Sequence, residues 1–452
     1  MSGMSKALNK HRKKFTLRKW GLAIVVAGLV LISLALSVMI WLSVGKNTGA
    51  RNTAGVKQDK QLVSAKAIEN LYDFSQVVMQ DDDHARAIRD YRGLSNRLIK
   101  RVTHWRVRTA SVKEVSANAY VKALEKPGNV VLIYPDHVAG EIVQKRLNQV
   151  MGLPSAAKID RIQLPLKGRG QLRLFDDVNR KIYQSEVIKG QALASLMSDK
   201  EATTPVHYQW FAKSKRVQTV YENPLKMHKK NYLINTLSMD TVLASAFPGR
   251  DISPTIREND DQTIYTGQNA RQLIVDKKTD AIQYINFDHD IKQKRLDFQQ
   301  NKAYETLDTL QQMNENLYYF DEADRGQQLG YRLYVNGLPV FNQAGSIGAL
   351  SQVKSTGHRQ VVTYARRSVT VPLPDAREGV VTLPDSNKAY QVLTKAGYQK
   401  DAIQNMTPGY VWVDSNDGQY ASLQPTWFIK YQDQWATLAD LKKQGHHKED
   451  AK

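Results

Sequence analysis

Cysteine is absent from all 452 residues, which excludes a disulfide framework, a thiolate metal site and a thiol nucleophile. A body of this size must then be held together by its apolar cores, and a hydrophobic content of 42% is enough to build them. A basic, aromatic-interleaved motif of the RNA-recognition type is also missing. The 64 Lys and Arg residues are scattered, so nucleic acid is not an expected partner despite a formal charge of +20. A basic surface facing anionic lipid or cell-wall polymer is the simpler reading. No residue-level repeat of fixed period is visible, although two later segments share a helix-plus-hairpin pattern of the kind an old duplication leaves.

What is present begins with one uncharged stretch, Trp20 to Gly45. Every charge before it is positive: Lys6, Lys10, Arg12, Lys13, Lys14, Arg18 and Lys19. About 26 helical residues reach roughly 39 Å, enough to cross a hydrocarbon core of about 30 Å with some tilt. A cleavable signal would have a shorter apolar region and a small-residue cleavage site. Trp20 and Trp41 stand near the two ends, at headgroup level. Four basic residues follow the span (Lys46, Arg51, Lys57, Lys60) against seven before it, so the positive-inside rule keeps residues 1–19 cytoplasmic and the large part outside. Gly21, Gly28 and Ala35 recur every seven residues and place small side chains along one stripe of this helix, a candidate transmembrane interface.

Beyond the span, residues 46–64 are polar and read as a linker. The expected fold class is α+β, a single transmembrane helix followed by a multi-domain extracytoplasmic body of helices and antiparallel sheets. A first domain, 65–228, reads as helical to Leu124, from Ile68, Leu71, Tyr72 and Ser75 and then Leu94, Leu98 and Val102. It continues with a buried strand at Val130 to Tyr134, closed by Pro135-Asp136 before a helix, and an antiparallel meander over Arg161 to Val187 that the segments His207 to Ala212 and Arg216 to Tyr221 extend. A second domain, 229–320, reads as a helix from Ser238, three strands and a helix from Lys302. A third, 321–441, carries a hairpin at Asn336-Gly337, a long strand from Arg359 to Val371, a helix from Asn387 and two closing strands. Residues 442–452 form a charged tail.

Chemical motifs are sparse. Asp81-Asp82-Asp83-His84 is the densest cluster of potential ligands, and its position before Ala85 to Ile88 reads as acidic capping of a helix N-terminus. Asp288-His289-Asp290 reads as a polar turn. Asp414-Ser415-Asn416-Asp417-Gly418 resembles the start of a calcium loop, but Gln419 and Pro425 stand where Gly and Glu are required, which leaves a hairpin turn. Ser351-Gln352-Val353-Lys354 has the Ser-x-x-Lys spacing of acyl-serine enzymes without the companion Ser-Asp-Asn and Lys-Thr-Gly elements. Gly345-Ser346-Ile347-Gly348 matches neither a nucleophile elbow nor a phosphate cradle and reads as a loop. His446 and His447 read as solvent-exposed residues of the tail. No catalytic, cofactor-binding or metal-binding residue is assigned.

Three passages carry a family resemblance: Val130 to Gln144, Gln262 to Asn286, and Tyr410 to Leu438 with its Leu423-Gln424-Pro425-Thr426-Trp427 segment. With the short basic tail and single span, the chain resembles the YycH family of membrane-anchored regulators of a sensor histidine kinase controlling cell-wall metabolism. The resemblance implies a three-domain extracytoplasmic body that is not an enzyme and needs no cofactor. It also implies a single-span YycI-like partner and action on a YycG/WalK-like kinase through transmembrane contacts. The competing classes are an extracytoplasmic wall enzyme using Ser351 and Lys354, and a structural component of a membrane assembly.

Overall fold

The run Val130 to Tyr134 lies inside strand Asn129–Ala139, which is buried along nearly its whole length because sheet neighbours flank it on both edges and helices cover it. This computed structural model describes residues 66–449 apart from 82–83, 198–201, 250–253, 269, 289–294, 343–348 and 375–378. The stretch Trp20 to Gly45, with Gly21, Gly28 and Ala35, lies outside the described residues, as do Asp82, Asp83, His289, Asp290 and Gly345 to Gly348 and the side chains of His446 and His447. No helix among the described residues is long and apolar enough to cross a membrane.

Ten described strands form the first sheet, in the order Arg216–Tyr221, Thr203–Phe211, Ala85–Ile88, Gln76–Gln80, Asn129–Ala139, Lys158–Pro165, Gly170–Asp176, Lys181–Lys189 and Arg106–Val107, with Ser111–Glu114 also on Lys181–Lys189. The expected meander is there. The Thr203–Phe211 and Arg216–Tyr221 hairpin joins at the opposite edge, through Ala85–Ile88, rather than continuing it. The helical reading of residues 65–124 needs correction, since among the described residues there only Ile68–Leu71, Tyr91–Val102 and Ala117–Leu124 are helices. Val77 and Val78 lie in strand Gln76–Gln80, where pairing with Asn129–Ala139 overrides the three- and four-residue spacing around them.

Fourteen described strands form the second sheet. Its α+β architecture and antiparallel pairing are as expected, with one parallel pair, Leu338–Asn342 beside Ile403–Asp414. Residues read as separate second and third domains share this sheet, because Ala281–Asn286 pairs with Arg359–Ala365. Asn336 and Gly337 both have positive φ, 48° and 79°, as a two-residue hairpin turn of the twisted type requires. A Cβ on Gly337 would meet the Tyr91 ring at 3.0 Å. The expected long strand from Arg359 to Val371 is two strands, Arg359–Ala365 and Arg367–Pro372. Arg366 turns the corner, its Nη2 2.7 Å from Asp280 Oδ1 and its Nη1 donating to Leu237 O at 2.8 Å. Helices Ile68–Leu71, Tyr91–Val102, Gly140–Leu147 and Leu296–Thr309 pack together, and their apolar faces merge with both sheets in one core that includes Leu98, Ile142, Leu307 and Tyr331.

Candidate functional site

Pairing between Asn129–Ala139 and Lys158–Pro165 jumps from Ile133↔Arg161 to Val138↔Ile159. Residues 134–137 therefore bulge opposite Asp160 alone. Pro135 has no N–H to give the ladder, and a bulge is where a strand tolerates that. The bulge sets Asp136 and His137 beside Asp160, so the reading of Pro135-Asp136 as the end of a strand before a helix is corrected: the strand continues to Ala139.

All three groups are buried, and the geometry shows what keeps them charged. Arg216, from the edge strand folding back over the bulge, places Nη2 2.8 Å from Asp136 Oδ1 and Nη1 3.1 Å from Asp160 Oδ1. His137 Nδ1 lies 2.7 Å from Asp160 Oδ1, a charge contact rather than a well-aligned hydrogen bond. The Asp177 backbone N–H donates to Asp160 Oδ2 at 2.7 Å, and the Glu322 N–H donates to Asp136 Oδ2 at 3.1 Å. Next to them Arg161 grips Asp177 through Nε and Nη2 at 3.2 and 3.0 Å. Lys430, on the second sheet, stands 3.7 Å from Asp136 and 3.4 Å from Asp321. The bulge is further fixed by Tyr319 Oη and Gln300 Nε2, which donate to His137 O at 3.0 and 2.9 Å.

Burial raises the pKa of both Asp136 and Asp160, but the surrounding cations outweigh it: Arg216 and Lys430 hold Asp136 below the ordinary carboxylate value, and His137 and Arg216 do so for Asp160. For His137, burial and Arg216 push downward, yet Asp160 and Asp136 prevail and leave it raised. Lys430 is likewise raised by Asp136 and Asp321 against the effect of burial. The cluster borders a cavity of about 570 Å³ between the two sheets, with Glu322, Asn405 and Lys430 on the far wall.

Asp136, His137 and Asp160 each offer a ligand atom, all within 4.8 Å of one another. By donor type the trio suits a small divalent cation. Arg216 already spans both carboxylates and Lys430 faces Asp136, so the negative charge is neutralised by the chain itself, and these residues fit an internal ion network better than a metal centre.

The motifs singled out in sequence lie elsewhere. Asp81 does not cap a helix, because Ala85–Ile88 is a strand; its carboxylate pairs with Arg86 instead. Ser351 and Lys354 stand three positions apart on strand Leu350–Thr356, which sends them to opposite faces: Ser351 is buried, while Lys354 is exposed and 3.5 Å from Asp324. Asp414 to Gly418 forms the expected hairpin turn, with Ser415 Oγ and the Gln419 N–H bonded to Asp417 Oδ1. The buried network went unrecognised in sequence; the available signal was a Pro-Asp-His triplet inside an otherwise apolar strand.

Family models match residues 22–202 as the YycH protein N-terminal domain and residues 215–445 as the YycH protein C-terminal domain. The crystal structure of YycH from Bacillus subtilis is similar over 83% of this chain and 98% of that chain, with a TM-score of 0.67 and 16% identity, a likeness of fold. No curated protein matches. Since the two family models together span most of the sequence, the chain belongs to the YycH family.

Proposed function

We propose that this chain is an accessory regulator of a two-component system controlling cell-wall metabolism. The observation that carries the reading is the match of the two YycH family models over 22–202 and 215–445. In this reading Trp20 to Gly45 anchors a single-pass chain with its N-terminus in the cytoplasm. The extracytoplasmic body, taken as units 65–228, 229–320 and 321–441, acts with a YycI-like single-span partner on a YycG/WalK-like sensor histidine kinase. Such a regulator works by binding two kinase states unequally, since only differential affinity shifts an equilibrium. Gly21, Gly28 and Ala35 are the docking stripe, because close packing over small residues is a main source of helix attraction in lipid. Binding is further supported over catalysis by the buried cluster itself, whose aspartates are tied to cations of the same chain.

Deletion followed by complementation tests the reading through kinase-dependent transcription. The wild-type chain should restore output. Gly28→Leu, at normal abundance in the membrane, should fail to restore it and should lose co-purification with the kinase or its single-span partner. Unchanged transcription on deletion would overturn the regulator reading, and intact co-purification of Gly28→Leu would overturn the stripe. Ser351→Ala and Lys354→Ala, made separately, should leave output unchanged; a strong loss at normal protein level would favour a wall enzyme.

A further inference from the structure

Three segments of the sequence, 91–113, 142–158 and 187–198, contain no Asp or Glu. The fold brings all three to one place. Gln149 Nε2 donates to Val102 O at 3.1 Å and to Trp105 O at 2.9 Å, and the Ala110 N–H donates to Met151 O at 2.9 Å. From the third segment, Lys189 pairs with Arg106 at the edge of the first sheet. Trp105 Nε1 donates to Gln191 O at 3.2 Å, and Arg101 Nη1 donates to Ala192 O at 3.0 Å.

Several cations here are already neutralised. Arg108 lies 3.2 Å from Glu186, Lys145 2.9 Å from Glu141 and Arg146 2.9 Å from Asp73, Glu114 follows Lys113, and Glu69 borders the same hollow as Lys100. Arg101, Arg106 and Lys189 have no carboxylate partner among the described residues, and Arg106 and Lys189 are exposed. They leave this surface with net positive charge. Beside them Val150 is 92% exposed, although both its neighbours are held down by the Gln149 and Met151 bonds to the 102–110 segment. Val112, two residues beyond Ala110, is 54% exposed. An aliphatic tip fixed in open water next to unpaired cations is the composition of a surface that lies on lipid.

We infer that this surface rests on the anionic face of the bilayer that carries the anchor, with Val150 at the acyl boundary and Arg101, Arg106 and Lys189 at headgroup level. The cations match an anionic surface of any kind, whereas the aliphatic tip gains from lipid and not from a hydrated wall polymer. Where the chain enters the body points the same way. Helix Ile68–Leu71 packs on Gly140–Leu147, which leads directly to Val150, and Glu69 and Asn70 share a surface hollow with Thr103 and Asn148. Residues 46–65 separate the uncharged stretch from this point, so an anchored chain keeps this side of the body near headgroups. The inference rests on the anchored reading above.

The test uses the full-length chain, in which the lack of cysteine makes Val150→Cys a single thiol. The protein is placed in vesicles of phosphatidylcholine with and without phosphatidylglycerol, labelled with a membrane-impermeant bimane and read by acrylamide quenching. Phosphatidylglycerol should lower the quenching constant about fivefold. Arg106→Gln and Lys189→Gln together should abolish that difference at the wild-type Tm, and a label at Lys278→Cys, on the exposed hairpin tip, should not respond to lipid. Equal quenching at position 150 in the two lipids overturns the inference, as does protection that survives in the double variant. Equal protection by soluble poly(glycerol phosphate) in phosphatidylcholine vesicles overturns lipid as the occupant. A carbonate wash separates the two readings: a chain stripped from its vesicles overturns the anchor, whereas a retained chain with equal quenching overturns the docking surface alone.

Discussion

Asp81 to His84 and the Asp136-His137-Asp160 group are both acid-and-histidine clusters, one dense along the chain and the other dense only in space. At the first, the side chains of Arg86 and Asp81 are 42% and 34% exposed, and water does most of the solvation. Such pairs contribute about 0–1 kcal/mol. At the second, Asp136 and Asp160 are each only 6% exposed at the side chain, so charge survives only if the protein supplies partners. It supplies Arg216, His137, Lys430 and the backbone N–H groups of His137, Asp177 and Glu322. Acid density along a sequence is therefore a poor guide to where charge is constrained. Burial of fixed charge is the better one, and it raises the stakes of each residue.

The largest expected consequence is for Arg216→Ala, which strands two buried carboxylates. It should lose about 3–5 kcal/mol in urea unfolding followed by tryptophan fluorescence. A loss below about 1 kcal/mol would place the buried cluster in the same class as the exposed one. Next, a double-mutant cycle of Asp136→Asn and Lys430→Met should give a coupling of about 0.5–3 kcal/mol. Additive effects would mean that the two sheets do not share this network.

The pH dependence sharpens the contrast further. His137 binds its proton more tightly folded than unfolded, so its contribution is full below the ordinary value of 6.5 and is lost as pH rises through its raised folded pKa. Asp136 and Asp160 are depressed, so their contribution is full above 3.8 and is lost as pH falls toward their folded values. Lys66 works against the alkaline loss: pushed down to about 7, chiefly by burial, it adds stability between that pH and 10.5. The informative quantity is therefore the difference between wild type and His137→Gln, which should shrink as pH climbs above 6.5. A difference that stays constant from pH 6 to pH 9 would contradict the raised pKa. Smallest of all, Arg86→Ala should change stability by less than about 1 kcal/mol; a loss matching that of Arg216→Ala would erase the distinction between the clusters.

Much of the second sheet was legible from local pattern. Asn336-Gly337, the polar tip at Asp276 to Asp280 and the helix capped by Ser238 follow from residues within a few positions of one another. Strand Gln76–Gln80 was not, because its pairing with Asn129–Ala139 outweighs the helical spacing around it. Nor was the break at Arg366, which depends on Asp280 reaching it from far along the chain. The candidate site was illegible for the same reason: its charges come from strands distant in sequence, and a Pro-Asp-His triplet reads as a strand end until the pairing around it is known.

The sequence by itself determined what depends on composition and neighbours. It ruled out disulfides and thiol chemistry, marked one uncharged stretch with a one-signed flank, and set the local turns, because hydrophobicity, charge and backbone preference act over a few residues. Only the tertiary structure decided which acids are buried and that Arg216 reaches across both Asp136 and Asp160. Those outcomes follow from desolvation, whose size for any one group is set by what the rest of the chain packs around it.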